Sequence, residues 1–253
     1  MWRPDDPHGV APRYQRLPSQ AMGRPVHLWT FGERGHPVLV FPSAAGMAHE
    51  WQHSGAVQAL APLIRAGKVR LICPESNVSV AWTGEGHPAW RLEQHARYER
   101  FLIDELLPYI YATGGGPRPV STAGCSFGAF YAVNTALKHP GRFDWALGLS
   151  GRYRTATFLE GHSSDAAYFN APLAYVPGLS GDDLHAARSV SATLVVGRGA
   201  YEGRCIAETA QMAAVLKERG IPCELDAWGH DVSHEWSWWR RQLVYHLGRR
   251  FGR

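Results

Sequence analysis

Residues 118–137 read RPVSTAGCSFGAFYAVNTAL, and the five at their centre, Gly124–Gly128, decide the fold. They match G-x-S-x-G between an apolar strand pattern and an alanine-rich helix pattern. A serine at such a turn has a strained backbone and an exposed hydroxyl, and the glycines let strand and helix pass close to it. The N-terminus of the following helix favours negative charge developing there. The stretch predicts a nucleophile elbow at Ser126; a tight glycine turn that only packs strand against helix is the alternative.

Two further groups that a nucleophilic serine needs are present in the C-terminal part of the chain. The serine requires a base, and the base requires an acid that orients it. In enzymes with this elbow the order along the chain is serine, acid, histidine. Glu202 follows the strand pattern Leu194–Val196, where the acid belongs, and His230 and His234 both follow the strand pattern Cys223–Trp228. The order predicts Glu202 as the acid and leaves two candidates for the base.

Five stretches of the chain carry a resemblance to a known family. They are Val38–Ser43, Gly124–Gly128, Gly148–Gly151, Gly197–Glu202 and Trp228–Trp236. In these stretches the chain resembles the esterase family of α/β-hydrolases, which contains esterase D-like enzymes and mycolyltransferases. The resemblance covers nearly the whole chain beyond residues 1–20. It implies an α/β-hydrolase fold, with a mostly parallel central sheet and helices on both faces.

The resemblance also distinguishes between the two histidines. In the family the catalytic histidine precedes an acidic residue and a tryptophan, as His234 precedes Glu235 and Trp236 here. This implies that His234 is the base. His230 is then expected to be a structural histidine that braces its loop by hydrogen bonds. The match points to Glu202 as the acid.

The chain departs from the family pattern at two places. Many members carry two glycines where this chain has Gly128 followed by Ala129, whose small side chain is compatible with close packing. The acid is more often Asp, and Glu occurs in a subset that this chain resembles. Asp226, within the preceding strand, and Asp231, close to the base in sequence, are therefore kept as rival acids.

An oxyanion hole is expected from two backbone amides. One belongs to Phe127, directly after the predicted nucleophile, and the other to the loop after the strand Pro37–Phe41. The resemblance selects Ala44 in that loop, because a bulky residue would block the substrate oxygen. Ala45 is a rival donor, and a plain turn without a functional amide is the alternative.

These residues predict a serine hydrolase that cleaves carboxylic esters through an acyl-enzyme, with Ser126, His234 and Glu202 as its triad. The expected partner is a small-molecule acyl ester, and no cofactor is expected. Acyl transfer or thioester hydrolysis on the same triad is an alternative, because members of the resembled family share the triad and differ in pocket shape. A catalytically silent binding module on a hydrolase scaffold is the alternative from another functional class.

A second group of polar side chains raises the question of a metal site. His49 and His53 are spaced for one helical face, with Glu50 and Glu75 as further donors. A histidine pair without a clear third ligand is weak evidence for a metal. We therefore expect no metal site, and we expect the loop carboxylate of Glu75 to be solvated.

Length and composition fit one domain. The chain has 253 residues, a usual size for one α/β domain, so we expect a single α/β-hydrolase domain over residues 1–253 with an N-terminal extension at 1–20. A hydrophobic content of 45% is ordinary for a globular protein. The sequence contains no apolar run of about 18 residues, so no membrane span is expected. The polar N-terminus lacks the apolar core of a secretory signal.

Cysteine usage and charge indicate compartment and partners. The four cysteines are scattered without C-x-x-C spacing, which argues against a disulfide framework and favours a reducing cytoplasm. The net charge is +4, with several arginines within residues 240–253. We interpret these arginines as a solvated helix face and expect no nucleic-acid partner. Oligomeric state is left open, a homo-oligomer included.

Alternating strand and helix patterns predict the remaining elements. Val26–Phe31 and Pro37–Phe41 are expected to form a strand pair around a glycine turn. A helix is expected over residues 57–66, with Pro62 favouring a kink. Residues 91–111 are expected to form one long amphipathic helix. The alternation favours a mostly parallel sheet covered by helices on both faces.

Overall fold

The computed structural model describes residues 10–44 and 46–252. Eight strands form one sheet in the order β1-β2-β4-β3-β5-β6-β7-β8. Their bounds are β1 Pro12–Leu17, β2 Val26–Phe31, β3 His36–Phe41, β4 Val69–Pro74, β5 Val120–Cys125, β6 Phe143–Leu149, β7 Ser191–Val196 and β8 Cys223–Ala227. The pairs β1–β2 and β2–β4 are antiparallel, and the other five are parallel. The sheet is therefore mostly parallel, as the alternation of patterns predicts.

Twelve α-helices lie within the described residues. They are α1 Glu50–His53, α2 Ala56–Ala59, α3 Ala61–Arg65, α4 Val78–Ala81, α5 Pro88–Arg100, α6 Leu107–Gly114, α7 Phe127–Lys138, α8 Asp165–Tyr168, α9 Pro172–Tyr175, α10 Gly181–Ala187, α11 Gly203–Glu218 and α12 Trp236–Phe251. A π-helical segment, Phe101–Leu106, joins α5 to α6. Two 3₁₀ segments occupy Thr155–Phe158 and Val176–Gly178. No helix in the described parts of the chain is long and apolar enough to cross a membrane.

Apolar side chains lie on both faces of the sheet because they run continuously along its central strands. In β3, Leu39 and Phe41 belong to one buried cluster, and Val38 and Val40 belong to another. This is the alternation of side chains across a pleated strand. Helices α5, α6, α7 and α11 contribute to the first cluster, and α2, α3 and α12 to the second. Helices thus cover both faces, which a buried parallel sheet requires.

The expected pairing of Val26–Phe31 with Pro37–Phe41 is wrong. The strand β4 lies between them, antiparallel to β2 and parallel to β3. The turn after β2 does not close a hairpin. Gly35, at φ +108°, packs tightly against the backbone at Lys68 and Val69 instead, because a Cβ there would meet Val69 N at 2.7 Å. The chain therefore crosses to the far side of β4.

Two expected helices are interrupted where proline removes an amide donor. The helix expected over 57–66 is two short helices that meet at Leu60, with Pro62 at the start of the second. The long helix expected over 91–111 contains the π-helical turn Phe101–Leu106, directly before Pro108 in the first turn of α6. Proline lacks the N–H for the i−4 carbonyl and its ring clashes with that carbonyl. A wider turn relieves the clash while the chain keeps its direction.

The N-terminal part of the described chain belongs to the sheet. Residues 12–17, which fall in the segment expected to be an extension, form the edge strand β1 and pair with β2 from Pro12 opposite Phe31 to Leu17 opposite Val26. No residue of β1 is buried, and half of them are exposed. This is consistent with its place at the outer edge of the sheet.

Six mutually parallel strands bring their carboxyl ends to one edge of the sheet. They are β3, β4, β5, β6, β7 and β8. Loops that follow such strands form the crevice in which open α/β sheets bind their ligands. The residues singled out in the sequence, Ala44, Ser126, Glu202 and His234, all stand in or at the start of these connections.

Candidate active site

Ser126 occupies a sharp turn between β5 and α7. Its backbone has φ 56° and ψ −118°, a conformation that is rare for a residue with a side chain. The amide of Ser126 donates to Leu149 O at 2.8 Å, which extends the β5–β6 ladder by one residue. Such strain at a strand-to-helix turn is a feature of functional sites, where the surrounding structure holds it. The turn carries the serine out of the buried strand to a half-buried position.

The two glycines of the motif are required by space. A Cβ at Gly124 would lie 2.1 Å from Gly128 O, and a Cβ at Gly128 would lie 2.5 Å from Pro42 O and 2.6 Å from Phe41 O. Real Cβ atoms do not approach so closely, so only glycine fits at both positions. The contact at Gly128 also brings the first turn of α7 against the start of the loop that follows β3. Ala129 is completely buried beside it, so the alanine is accommodated.

His234 reaches Ser126 from the loop after β8. Its Nε2 lies 3.0 Å from Ser126 Oγ, within hydrogen-bond distance. The amide of His234 donates to Ala200 O at 2.9 Å, which ties its loop to the loop after β7. The Trp239 ring packs edge-on against the imidazole, with ring centres 4.8 Å apart. Backbone and packing together orient the ring.

Glu202 lies behind the imidazole of His234. Its Oε2 is 3.4 Å from His234 Nδ1, at the long end of hydrogen-bond distance, and its side chain is 0% exposed. The other oxygen, Oε1, accepts a hydrogen bond of 2.6 Å from Ser150 Oγ. A buried carboxylate needs such partners, because burial without them is costly. Distances in a substrate-free site are often longer than those during reaction.

Glycines let the loops of Glu202 and His234 pack closely. A Cβ at Gly197 would lie 2.1 Å from Val232 O, and one at Gly199 would lie 2.7 Å from the same oxygen. The Gly199 amide donates to Val232 O at 2.8 Å. The glycines of the stretch Gly197–Glu202 therefore keep the two loops close, because bulkier residues would push Glu202 and His234 apart.

The rival residues take other positions. The His230 side chain is exposed and makes no hydrogen bond within residues 10–44 and 46–252, so the expectation that it braces its loop by hydrogen bonds is wrong there. Asp226 instead lies 2.9 Å from Trp228 Nε1 and 3.1 Å from His246 Nε2. Asp231 is exposed. Neither aspartate forms an ion pair with His234.

The two amides expected to form the oxyanion hole point to no internal acceptor. Phe127 is the first residue of α7 and Ala44 is an exposed residue of the loop after β3. Neither amide donates a hydrogen bond to the described part of the chain. The first amides of a helix have no partner within the helix, so they are available to an anion. The rival donor Ala45 lies outside the described residues.

Glu50 holds the loop that carries Ala44. Its two carboxylate oxygens accept hydrogen bonds of 2.5 Å each from the amide and the hydroxyl of Ser43. Burial raises the pKa of Glu50, and the hydrogen bonds from Ser43 oppose this effect. The sequence pattern suggested Glu50 only as a weak metal ligand. Its contacts instead identify it as a brace for the residue before Ala44.

Potential metal ligands near residue 50 do not converge. The rings of His49 and His53 lie 4.4 Å apart, but Glu75 binds Arg24 at 2.5 Å and is not simply solvated.

Within the described residues, one group brings three ligand atoms together, and it consists of Glu202, Cys205 and His234. Burial raises the pKa of the Cys205 thiol to about 12. In the absence of a metal the thiol is therefore protonated at neutral pH.

Three residues of the site were not predicted as functional. Ser150 and Cys205 contact Glu202 and His234 respectively, the latter with Sγ 3.7 Å from Nδ1. Trp239 packs against the imidazole of His234 and donates through Nε1 to Ser150 Oγ at 3.0 Å. Ser150 falls in the stretch Gly148–Gly151, which carries part of the family resemblance but gave this serine no role. No pattern in the sequence indicated Cys205.

Comparisons with solved structures show the fold. A ferulic acid esterase superposes with a TM-score of 0.75 at 18% identity, covering 96% of this chain and 98% of that one. An S-formylglutathione hydrolase from Agrobacterium tumefaciens gives 0.77 at 14% identity, covering 98% and 97%. FphF, a fluorophosphonate-binding serine hydrolase from Staphylococcus aureus, gives 0.66 at 12% identity, covering 94% and 99%. The expected α/β-hydrolase fold is thereby confirmed.

Sequence comparison shows the family. No curated protein sequence shows significant similarity to the chain. The model of the family described as "Putative esterase" matches residues 19–249, which is most of the chain. The expected family is confirmed: the chain belongs to this esterase family and is a carboxylesterase-type hydrolase.

Proposed function

We propose that the protein hydrolyses small-molecule carboxylic esters through an acyl-enzyme on Ser126. The observation that carries the proposal is the 3.0 Å distance between His234 Nε2 and Ser126 Oγ, with the Glu202 carboxylate on the other side of the same ring. A catalytic triad is recognised by this geometry, in which the nucleophile contacts the base and the base contacts the orienting acid.

In the proposed acylation step, the bond forms between Ser126 Oγ and the ester carbonyl carbon. His234 Nε2 takes the hydroxyl proton as this bond forms and gives it to the leaving alkoxide when the ester C–O bond breaks. Glu202 holds the ring with Nδ1–H directed at its carboxylate and stabilises the imidazolium. Water then attacks the acyl carbon with His234 as base, and Ser126 leaves with the returning proton.

The negative charge of the tetrahedral intermediate needs donors on the opposite side. We assign this role to the amides of Phe127 and Ala44, since neither has an acceptor within the described chain and Gly128 packs the helix start against Pro42. Preorganised amides are worth about 3 kcal/mol each in comparable enzymes. Glu50 supports the arrangement by holding Ser43.

Labelling with a fluorophosphonate tests the proposal. A fluorophosphonate phosphonylates an activated serine, and a structural relative of this chain is described as fluorophosphonate-binding. The wild-type protein is expected to gain one phosphonyl group and the Ser126→Ala variant none. The circular dichroism spectrum of the variant should match that of the wild type. A folded wild-type protein that stays unlabelled and cleaves no p-nitrophenyl ester would support the silent binding module instead.

A substrate panel then separates the remaining chemistry. Relatives are named for ferulic acid esters and for S-formylglutathione, so the panel includes p-nitrophenyl esters of increasing chain length, an aryl ester and a thioester. Free acid as the product in the presence of added alcohol is the result expected for a hydrolase. Transfer of the acyl group to that alcohol would identify an acyltransferase.

We also propose a reducing cytoplasm as the site of action, since all four cysteines are free.

A further inference from the structure

Ser150 has a positive φ, like Ser126, and follows the neighbouring strand. It stands directly after β6 with φ 51°, and its amide donates to Val195 O at 2.8 Å, as that of Ser126 donates to Leu149 O. A positive φ is uncommon for a residue other than glycine, asparagine or aspartate. The presence of serine at this position suggests that the side chain has a role.

The Ser150 hydroxyl is fully engaged. It donates to Glu202 Oε1 at 2.6 Å and accepts from Trp239 Nε1 at 3.0 Å. Ser150 and Glu202 are both 0% exposed, and Trp239 is 4% exposed. The three residues therefore form a buried chain of hydrogen bonds that runs from the indole through the hydroxyl to the carboxylate.

We propose that Ser150 and Trp239 are positioning residues that fix the Glu202 carboxylate in line with His234 Nδ1. The inference rests on the proposed function. A carboxylate on a glutamate side chain has several rotatable bonds, and the contact at Nδ1 is 3.4 Å, so that contact alone holds it weakly. A charge-assisted hydrogen bond of 2.6 Å at the other oxygen fixes both the rotation and the depth of the group.

Trp239 connects this chain of hydrogen bonds to the base as well. Its ring packs edge-on against His234 at 4.8 Å while its Nε1–H binds Ser150. One side chain thus contacts the base directly and reaches the acid through Ser150. Trp239 lies on α12 and Ser150 at the end of β6, so these two elements meet beside the acid–base pair.

Two substitutions at Ser150 separate the hydroxyl from the backbone. Ser150→Ala and Ser150→Gly both remove the hydroxyl, but glycine adopts a positive φ freely and alanine does not. We expect kcat for p-nitrophenyl acetate to fall about 10- to 100-fold in both, with KM unchanged, as the loss of a hydrogen bond to a charged group implies. We expect the melting temperature of the Gly variant to exceed that of the Ala variant.

The control is Ser121→Ala, at the opposite edge of the sheet. Ser121 is also 0% exposed and donates to a carboxylate, Asp144 Oδ1, at 2.7 Å. Its loss is expected to leave kcat unchanged while lowering stability. Trp239→Phe keeps the ring and removes only the donor, and we expect its kcat to fall less than that of the Ser150 variants.

The outcomes are distinguishable from failure of the proposed function. Phosphonylation of wild-type Ser126 is measured first, because its absence would refute the triad itself. If wild type is labelled and Ser150→Gly keeps wild-type kcat, the positioning role is refuted. The role is likewise refuted if kcat follows the melting temperature across the Ala, Gly and Ser121→Ala variants, since that is the behaviour of a merely structural residue.

Discussion

The Nε2 atom of His234 lies 3.0 Å from Oγ of Ser126, although the two residues are 108 positions apart in the chain. Parallel strands create this proximity, because Ser126 follows β5 and His234 follows β8 at the same edge of the sheet. The intervening strands β6 and β7 supply Ser150 and the loop of Glu202. Each of the four side chains thus comes from the end of a different strand.

Substitution of the acid tests the choice of Glu202. Glu202→Gln keeps the shape of the side chain and removes its charge, and we expect kcat to fall about 10²- to 10⁴-fold, as in triads that lose their carboxylate. Asp226→Asn is the matched control, because Asp226 pairs with Trp228 and His246 instead. Steady-state kinetics on a p-nitrophenyl ester measure both. Loss of turnover in the Asp226 variant alone would assign the acid to that residue.

Close packing at the elbow predicts a stability effect. In Gly128→Ala the new methyl group meets backbone oxygens at 2.5 and 2.6 Å. Backbone atoms yield little, so we expect the free energy of unfolding to fall by about 1–3 kcal/mol or more, together with a loss of esterase activity. Gly248→Ala is the control, since Gly248 lies in α12 with nothing within 4 Å of its added Cβ.

The control is expected to move in the opposite direction. Alanine in a helix interior is favoured over glycine by about 0.5–1 kcal/mol, so Gly248→Ala should be slightly stabilised. Urea unfolding monitored by tryptophan fluorescence measures both free energies. Equal stability of the Gly128 variant and the wild type would show that the elbow can relax.

Buried His95 predicts a loss of stability in acid. Burial lowers its pKa from 6.5 to about 4, with Glu99 opposing the shift and Lys138 adding to it. Between these values the unfolded chain binds a proton that the folded chain does not. His95 therefore does not reduce the free energy of unfolding above about pH 6.5. Between pH 6.5 and pH 4 it lowers this free energy by up to about 1.4 kcal/mol per pH unit.

The His95→Gln variant isolates this contribution. Glutamine has no titrating proton in the range, so the free energy of unfolding of the variant should depend less on pH between 6.5 and 4. Urea unfolding at several pH values measures the two slopes. Glu99 changes the free energy of unfolding at lower pH than His95 does. Burial raises the pKa of Glu99, but its partners His139 and Lys138 outweigh this effect and lower the pKa to about 2. Identical slopes for wild type and variant would contradict the assignment.

The thiols near the site are predicted to be unreactive. Burial raises the pKa of Cys125, next to Ser126, well above its usual value, and that of Cys205 to about 12. Alkylation requires the thiolate, so iodoacetamide at pH 7.5 should leave ester hydrolysis intact while a fluorophosphonate abolishes it. Inactivation by iodoacetamide, with the adduct mapped to either cysteine, would point to a thiol nucleophile.

Local chemistry explains which features the sequence predicts. The elbow Gly124–Gly128 needs glycine at two fixed places and a serine between them, so its pattern is visible without neighbours. The order of Glu202 and His234 after late strands follows from the topology of a parallel sheet. The fold and the family are accordingly confirmed, and the structure brings the three side chains together.

Features that depend on distant parts of the chain were not predicted. The insertion of β4 between β2 and β3 brings Gly35 against the backbone at Lys68 and Val69, which are more than thirty residues away in the chain. The π-helical turn before Pro108 is an exception, because proline is a local signal that the prediction of one long helix did not take into account. Ser150 acquires its role only when β6 lies beside β7 and α12 covers the pair, and no local pattern encodes that arrangement.

The most direct test of the central claim is the mass of the protein during turnover. The wild-type protein, quenched in acid within the first turnovers of p-nitrophenyl butyrate, should carry one butyryl group, and peptide mapping should place it on Ser126. Glu202→Gln should carry the same group but form it more slowly. A wild-type protein that releases p-nitrophenol while no acyl group appears, or that carries the group on another residue, would contradict the account.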